Sequence, residues 1–213
     1  MKKIKLITSD GVKIIGNFSE IENSTRAILL LHMMPKTKES WDDFVEKLNN
    51  FGYTTLSIDL RGHGESQDGP EGYKNFIDQE HQASYLDVEI SIEFLEELGI
   101  ENKNISIMGA SIGANLALDA LAQYSDIKKA ILLSPGLNYK GLLSNKAIAD
   151  LADNQKILLI ASEDDKYSYE SIIKLKEIKE NNTDLIKLTN AGHGTDMFLK
   201  HPELMDEIIK WLN

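Results

Sequence analysis

The pattern of apolar and polar positions changes period along the chain. Residues 3–8 and 13–18 alternate between the two types, as half-buried strands do, and the Asp10-Gly11 dipeptide between them supplies the positive φ angles of a tight hairpin turn. The pattern predicts a pair of antiparallel edge strands. Short apolar runs follow at 27–31, 54–58, 105–108, 130–133 and 157–161. A run such as Ile157-Leu158-Leu159-Ile160-Ala161 has no polar face, which suits a parallel strand covered by helices on both sides. A last alternating strand is predicted over 184–188.

Between the runs, helical periods predict helices over 40–51, 82–98, 112–122, 168–180 and 202–212. In the long one, Leu86, Ile90, Phe94 and Leu98 recur at steps of four with carboxylates between them, predicting one packed and one solvated face. Met197-Phe198 and Trp211-Leu212 are expected to cover the sheet near the C-terminus. Alternating strands and helices make the fold class α/β, a mostly parallel, doubly wound sheet with an N-terminal antiparallel hairpin, in one domain over 1–213. Ligands of such sheets sit outside the carboxyl ends of the strands, so polar residues just after each strand carry the functional information.

Composition narrows the partners. Acidic residues outnumber basic ones 34 to 23, and the net charge of -11 repels nucleic acid phosphates and anionic membrane surfaces. The absence of cysteine excludes disulfides, thiolate metal sites and a cysteine nucleophile, and makes a cytoplasmic location the expectation. The first ten residues lack an apolar stretch of signal-peptide length and no later run is long enough to span a bilayer, so neither export nor membrane insertion is expected. No metal-binding or nucleotide-binding motif occurs, so no metal and no cofactor is expected. The oligomeric state is not addressed by any of these features.

Directly after the 105–108 run stands Gly109-Ala110-Ser111-Ile112-Gly113, leading into an alanine- and leucine-rich helical stretch. This is the pattern of a nucleophile elbow, in which a strained strand-to-helix turn exposes a serine hydroxyl. Such a pentapeptide arises by chance in roughly one chain in fifteen of this length, so its weight comes from the strand before it and the helix after it. A serine nucleophile needs a proton acceptor that works near neutral pH, which points to histidine. His193 lies in the loop Asn190-Ala191-Gly192-His193-Gly194 after the 184–188 strand, and its place fits the chain order serine, acid, histidine. The acid is expected after the 157–161 strand, where Glu163, Asp164 and Asp165 are all available.

Two more segments complete a resemblance to the α/β-hydrolase superfamily, in its small serine esterase and lysophospholipase-like branch. Asp59-Leu60-Arg61-Gly62-His63-Gly64-Glu65-Ser66 resembles that family's Asp-x-Arg-Gly-x-Gly-x-Ser loop, and Leu30-Leu31-His32-Met33-Met34-Pro35 resembles its His-Gly-x oxyanion loop, with Met33 in place of the glycine. The resemblance runs from Leu6 to Leu212 and implies an α/β-hydrolase fold with a minimal cap over 134–156. It implies that Ser111, His193 and Asp165 form a triad, with Asp164 as the alternative acid, and that the backbone N–H groups of Met34 and Ile112 hold an oxyanion. His63 and His32 are read as loop histidines, with Asp59 and Arg61 holding the turn. A pocket lined by Met33, Met34, Leu137, Tyr139, Leu142 and Leu143 is expected. The implied activity is hydrolysis of a small-molecule carboxylic ester of short to medium acyl length through an acyl-enzyme. A thioesterase, serine peptidase or acyltransferase on the same fold, and a non-catalytic ligand sensor, stay open as alternatives.

Overall fold

A computed structural model of the chain describes residues 1–213. The strands and helices run in the order β1 (Lys2–Ile7), β2 (Lys13–Ser19), β3 (Ala27–Leu31), α1 (Asp42–Asn50), β4 (Thr54–Ile58), α2 (Asp78–Gln82), α3 (Tyr85–Glu97), β5 (Ile105–Ala110) and α4 (Ile112–Gln123). They continue as β6 (Lys129–Leu133), β7 (Asn138–Tyr139), β8 (Leu142–Leu143), α5 (Ser144–Ala149), β9 (Lys156–Ser162), α6 (Lys166–Ile178), β10 (Thr183–Leu188), α7 (Met197–Lys200) and α8 (Leu204–Leu212). Eight strands form one sheet in the order β1-β2-β4-β3-β5-β6-β9-β10, parallel from β4 onwards and antiparallel at β1 and β2. This is the doubly wound sheet that the apolar runs predict.

One core layer packs α3, α4 and α6 against the sheet through Ile92, Leu95, Leu116 and Leu175; the other packs α1, α7 and α8 through Phe44, Leu48, Met197 and Ile208. β3, β4 and β5 are buried along their whole length; β3 is apolar on both faces and shows no alternation, whereas β4 buries Thr55 and Ser57 in alternation with Leu56 and Ile58.

Two local expectations are corrected. First, β2 is no edge strand: it lies between β1 and β4, with Gly16 opposite Ile58. The β1–β2 connection is also wider than a two-residue turn. Gly11 alone takes a positive φ, of 84°, and residues 8–12 form the loop, because the Thr8 hydroxyl accepts from Val12 N at 2.9 Å and holds the Asp10 carboxylate. Second, the fully buried face of α3 is Asp87, Val88, Ser91, Ile92 and Leu95; Ile90 and Phe94 pack half-buried at its flank, and Leu98 is exposed at the end. A step of four residues overshoots a helical turn by about 40°, so a row such as 86, 90, 94 and 98 winds off the packed stripe. Asp59 and Arg61 do hold their loop, each through its own partners: the Asp59 carboxylate accepts from Glu65 N at 2.9 Å and its carbonyl from the Ser66 hydroxyl at 2.6 Å. Arg61 bonds Asp87 and Asp10, while the buried Asp59 carboxylate takes Lys38 Nζ at 2.7 Å. The segment after β6 is small, consisting of the β7–β8 hairpin and α5.

Candidate active site

All six parallel strands end at one rim, and the ladder there runs one residue further on β5 and β6: Ser111 N donates to Leu133 O, and Ser134 N to Ile160 O, both at 2.8 Å. Ser111 follows β5 with φ 54° and ψ -119°, a backbone conformation that side-chain-bearing residues rarely take. The turn closes only because both flanking residues are glycine. A Cβ on Gly109 would collide with the carbonyl of Gly113, and one on Gly113 with the carbonyls of Leu31 and His32. The elbow is thus packed against the end of β3, and its serine is 7% exposed.

Ile112 is the first residue of α4, so its N–H has no partner within the helix. The Met34 N–H, in the loop after β3, has no main-chain acceptor either. That loop is fastened by His32, wholly buried, whose Nδ1–H donates to Met33 O and whose Nε2 accepts from Leu60 N, both at 3.0 Å. Burial pushes the His32 pKa down to about 4, so its ring is neutral near pH 7. Methionine is accommodated at position 33 because the backbone there needs no positive φ; its sulfur packs against Gly194.

After β9, Asp164 and Asp165 point in different directions. Asp165 stands at the N-cap position of α6, but its carboxylate caps nothing there and instead binds His193 Nδ1 at 2.6 Å. Burial on its own raises the Asp165 pKa; hydrogen bonds from His193, Ser168 and Ser134 outweigh this and hold it below the ordinary carboxylate value. Asp164 is an exposed turn residue whose carboxylate nonetheless has partners. It accepts from the Gly192 N–H at 3.1 Å and from the Ser162 hydroxyl, and Ser162 Oγ accepts from Ala191 N at 2.9 Å. One aspartate therefore meets the imidazole, and its neighbour fastens the loop that carries the imidazole.

The His193 loop meets the elbow. Gly194 N donates to Ser134 Oγ at 2.9 Å, and Gly194 lies against Ala110 and Met33. No hydrogen bond joins Ser111 to His193; the Tyr139 hydroxyl stands beside the Ser111 hydroxyl and is 3.1 Å from Ser168 Oγ. Burial raises the Tyr139 pKa and the Asp165 charge adds to the rise, so the phenol stays protonated. Of the other expected pocket residues, Leu137 packs partly buried on the core, while Leu142 and Leu143 line a separate cavity of about 810 Å³ between α2, α4 and α5 that none of the rim residues touches. They are displaced from the rim because β8 crosses over α4, where Asn115 Nδ2 donates to Leu142 O at 3.0 Å.

Sequence reasoning passed over Ser134, Ser162, Ser168 and Asn115. Ser134 and Ser162 occupy the strand-end positions that α/β topology marks as informative, and Ser134 has a positive φ of 50°. Small polar residues at strand ends were the available signal.

The model of the family described as Serine aminopeptidase, S33, matches residues 22–190, most of the chain. The monoacylglycerol lipase abhd6-A of Xenopus laevis is 28% identical over 145 residues, which are 64% of this chain and 40% of the lipase, so the chain spans well under half of that curated relative. Among solved structures, an esterase of Pyrococcus furiosus superposes with a TM-score of 0.81 at 20% identity, covering 99% of this chain and 90% of the esterase. A CIB-like hydrolase of Thermoplasma acidophilum gives 0.76 at 20% identity, covering 100% of this chain and 98% of that one. The α/β hydrolase GrgF of Penicillium sp. sh18 gives 0.82 at 15% identity, covering 99% and 97%. The sheet, its flanking helices and the matched span together establish that this chain has the α/β-hydrolase fold and belongs to the serine aminopeptidase S33 family.

Proposed function

We propose that this chain is a serine hydrolase of carboxylic esters, acting through Ser111, His193 and Asp165 with an acyl-enzyme intermediate. The observation that carries the reading is the 2.6 Å contact between His193 Nδ1 and Asp165 Oδ2, in a loop packed on the elbow that carries Ser111. With Nδ1–H donated to Asp165, the other nitrogen, Nε2, is the ring's proton acceptor. Ser111 Oγ turns from Tyr139 towards it, as catalytic contacts often tighten only once substrate binds. His193 takes the hydroxyl proton as Oγ attacks the ester carbonyl, and Asp165 stabilises the imidazolium. The negative oxygen of the tetrahedral intermediate rests on the N–H groups of Met34 and Ile112, each worth about a hundredfold or more in rate. His193 returns the proton to the leaving alcohol, and water attacks the acyl-enzyme by the same relay to free the acid and restore Ser111.

The cap consists of one two-stranded hairpin and one helix of six residues, which supports acyl groups of short to medium length. Esterase and lipase names among the similar proteins support ester over amide cleavage. The test is hydrolysis of 4-nitrophenyl esters of increasing chain length by the protein and by Ser111→Ala, together with labelling by a fluorophosphonate. Labelling and turnover that vanish in Ser111→Ala are expected. A protein that neither labels nor turns over esters through Ser111 is not this enzyme.

A further inference from the structure

Charge is unevenly distributed around Ser111. The chain carries -11 in all, yet no carboxylate lines the cavity of about 340 Å³ that opens beside Met34 and Pro35. Its ionisable walls are Lys74, Lys140 and His81, together with the ring of Tyr73. Lys74 is neutralised by Glu71 at 2.5 Å, whereas Lys140 has no ion-pair partner.

The backbone delivers Lys140 to this place. With Gly141 it forms the two-residue turn between β7 and β8, at φ angles of 54° and 82°. Asparagine or glycine takes the first of these angles more readily than lysine. Gln82 Nε2 donates to the Lys140 carbonyl at 3.1 Å and ties the turn to α2. The preceding residue, Tyr139, stands beside the Ser111 hydroxyl, and the facing wall carries Met34, the candidate oxyanion donor. The cavity thus shares Met34 with the candidate oxyanion loop, and its Lys140 directly follows Tyr139 in the chain. His81 is 3% exposed, and its imidazole hydrogen-bonds to no group of the chain. Burial and then the Lys140 charge lower its pKa against the nearby Asp78 and Glu80, leaving a neutral ring in the cavity wall whose nitrogens are still reached by solvent.

We propose that this cavity is a subsite for an anionic oxygen group, a carboxylate or a phosphate, carried by the ester substrate, with Lys140 as its cation and His81 as a hydrogen-bond donor. The inference rests on the Ser111 hydrolase reading and sharpens its substrate class. A cation beside a neutral N–H donor, next to the acyl position, attracts a negative group attached close to the scissile ester and repels the free ammonium of a peptide N-terminus.

Two pairs of esters separate the possible sources of the charge. On the acyl side, 4-nitrophenyl hemiglutarate is compared with 4-nitrophenyl pentanoate, a carboxylate against a methyl group. On the alcohol side, the butyryl ester of glycerol 3-phosphate is compared with that of glycerol. At low salt, kcat/KM for the anionic member is expected to exceed its neutral counterpart by about tenfold in at least one pair. That ratio shrinks about fivefold in Lys140→Met and in high salt, persists in Lys140→Arg, and is unmoved by Lys103→Met, which removes the same charge from an exposed position outside the cavity. Ratios of one or below in both pairs, or a preference indifferent to Lys140→Met, overturn the subsite while Ser111-dependent turnover of the neutral esters leaves the hydrolase reading intact. Loss of turnover and of fluorophosphonate labelling together overturns both.

Discussion

Histidines stand on both halves of the strand-end rim, and they are treated in opposite ways. On the β3–β4 side, His32 and His63 are sealed: both are buried, His32 spends both ring nitrogens on backbone groups, and His63 stacks on Tyr73 at 4.1 Å with Nδ1 against Arg61 O at 3.0 Å. Burial drives their pKa values to about 4 and about 3, and the His32 ring beside His63 adds to the second. On the β9–β10 side, His193 is part-exposed and is held by a carboxylate on one nitrogen only. A histidine that must exchange a proton needs one ring face open and a charge partner for the protonated form. A histidine that fastens a loop needs neither, and burial removes its capacity to titrate near neutral pH. Residue type is therefore a poor guide to role at this rim; accessibility and the identity of the hydrogen-bond partner decide it.

The contrast is broken most severely at Asp165. Asp165→Asn deprives His193 of its charge partner and is expected to lower kcat for a 4-nitrophenyl ester by about 10⁴-fold with the fold retained by circular dichroism. A loss of less than tenfold would remove Asp165 from the relay. On the sealed side the largest effect is on stability. Lys38 and Asp59 are both buried and paired at 2.7 Å, and Lys38→Met leaves Asp59 without its cation. Urea unfolding is expected to show a loss of about 3–5 kcal/mol; a change below about 1 kcal/mol would mean that the pair is dispensable.

Acid sharpens the same contrast. A histidine whose folded pKa lies below its unfolded value takes up its proton more readily in the unfolded chain, so stability falls as pH drops from about 6.5 towards 4. His32 alone contributes on the order of 3 kcal/mol to that fall. Urea midpoints at pH 7, 5.5 and 4.5 should therefore decline, and should decline less in His32→Asn; parallel declines in the two proteins would contradict a neutral, buried ring. The smallest effect is expected at Asp164→Asn. It weakens the contacts to Gly192 and Ser162 but leaves the 2.6 Å contact in place, so kcat should fall by less than about tenfold. A loss equal to that of Asp165→Asn would show that loop position, not the charge on the imidazole, limits the rate.

Much of the scaffold was legible because its signals are local. The run at 27–31 coincides with β3 since a strand apolar on both faces has hard edges, and 54–58 coincides with β4, whose threonines and serine are buried with it. The elbow was legible because the steric demand that makes Gly109 and Gly113 glycines lies within five residues and the adjoining strand end. The four-residue row on α3 was legible only in part, because Ile90 and Phe94 pack at the flank of the buried stripe and Leu98 winds off it; the stripe itself includes Asp87 and Ser91, which are buried only because Arg61 and a main-chain carbonyl satisfy them. Leu142 and Leu143 were expected at the rim because their segment follows β6, but the hairpin that carries them folds over α4 instead.

By itself the sequence determined the α/β class, the place of the serine turn and the stretch of chain that supplies each rim residue, since these follow from periodicity, glycine sterics and chain order. Only the tertiary structure decided which of two adjacent aspartates meets His193, that Tyr139 reaches Ser111, and that Lys140 shares a cavity with Met34. Consecutive side chains at the start of a helix diverge widely, and which of them finds a partner depends on loops that close from 28 residues away or more. Such contacts are set by the packing of the whole sheet and have no local pattern from which they can be read.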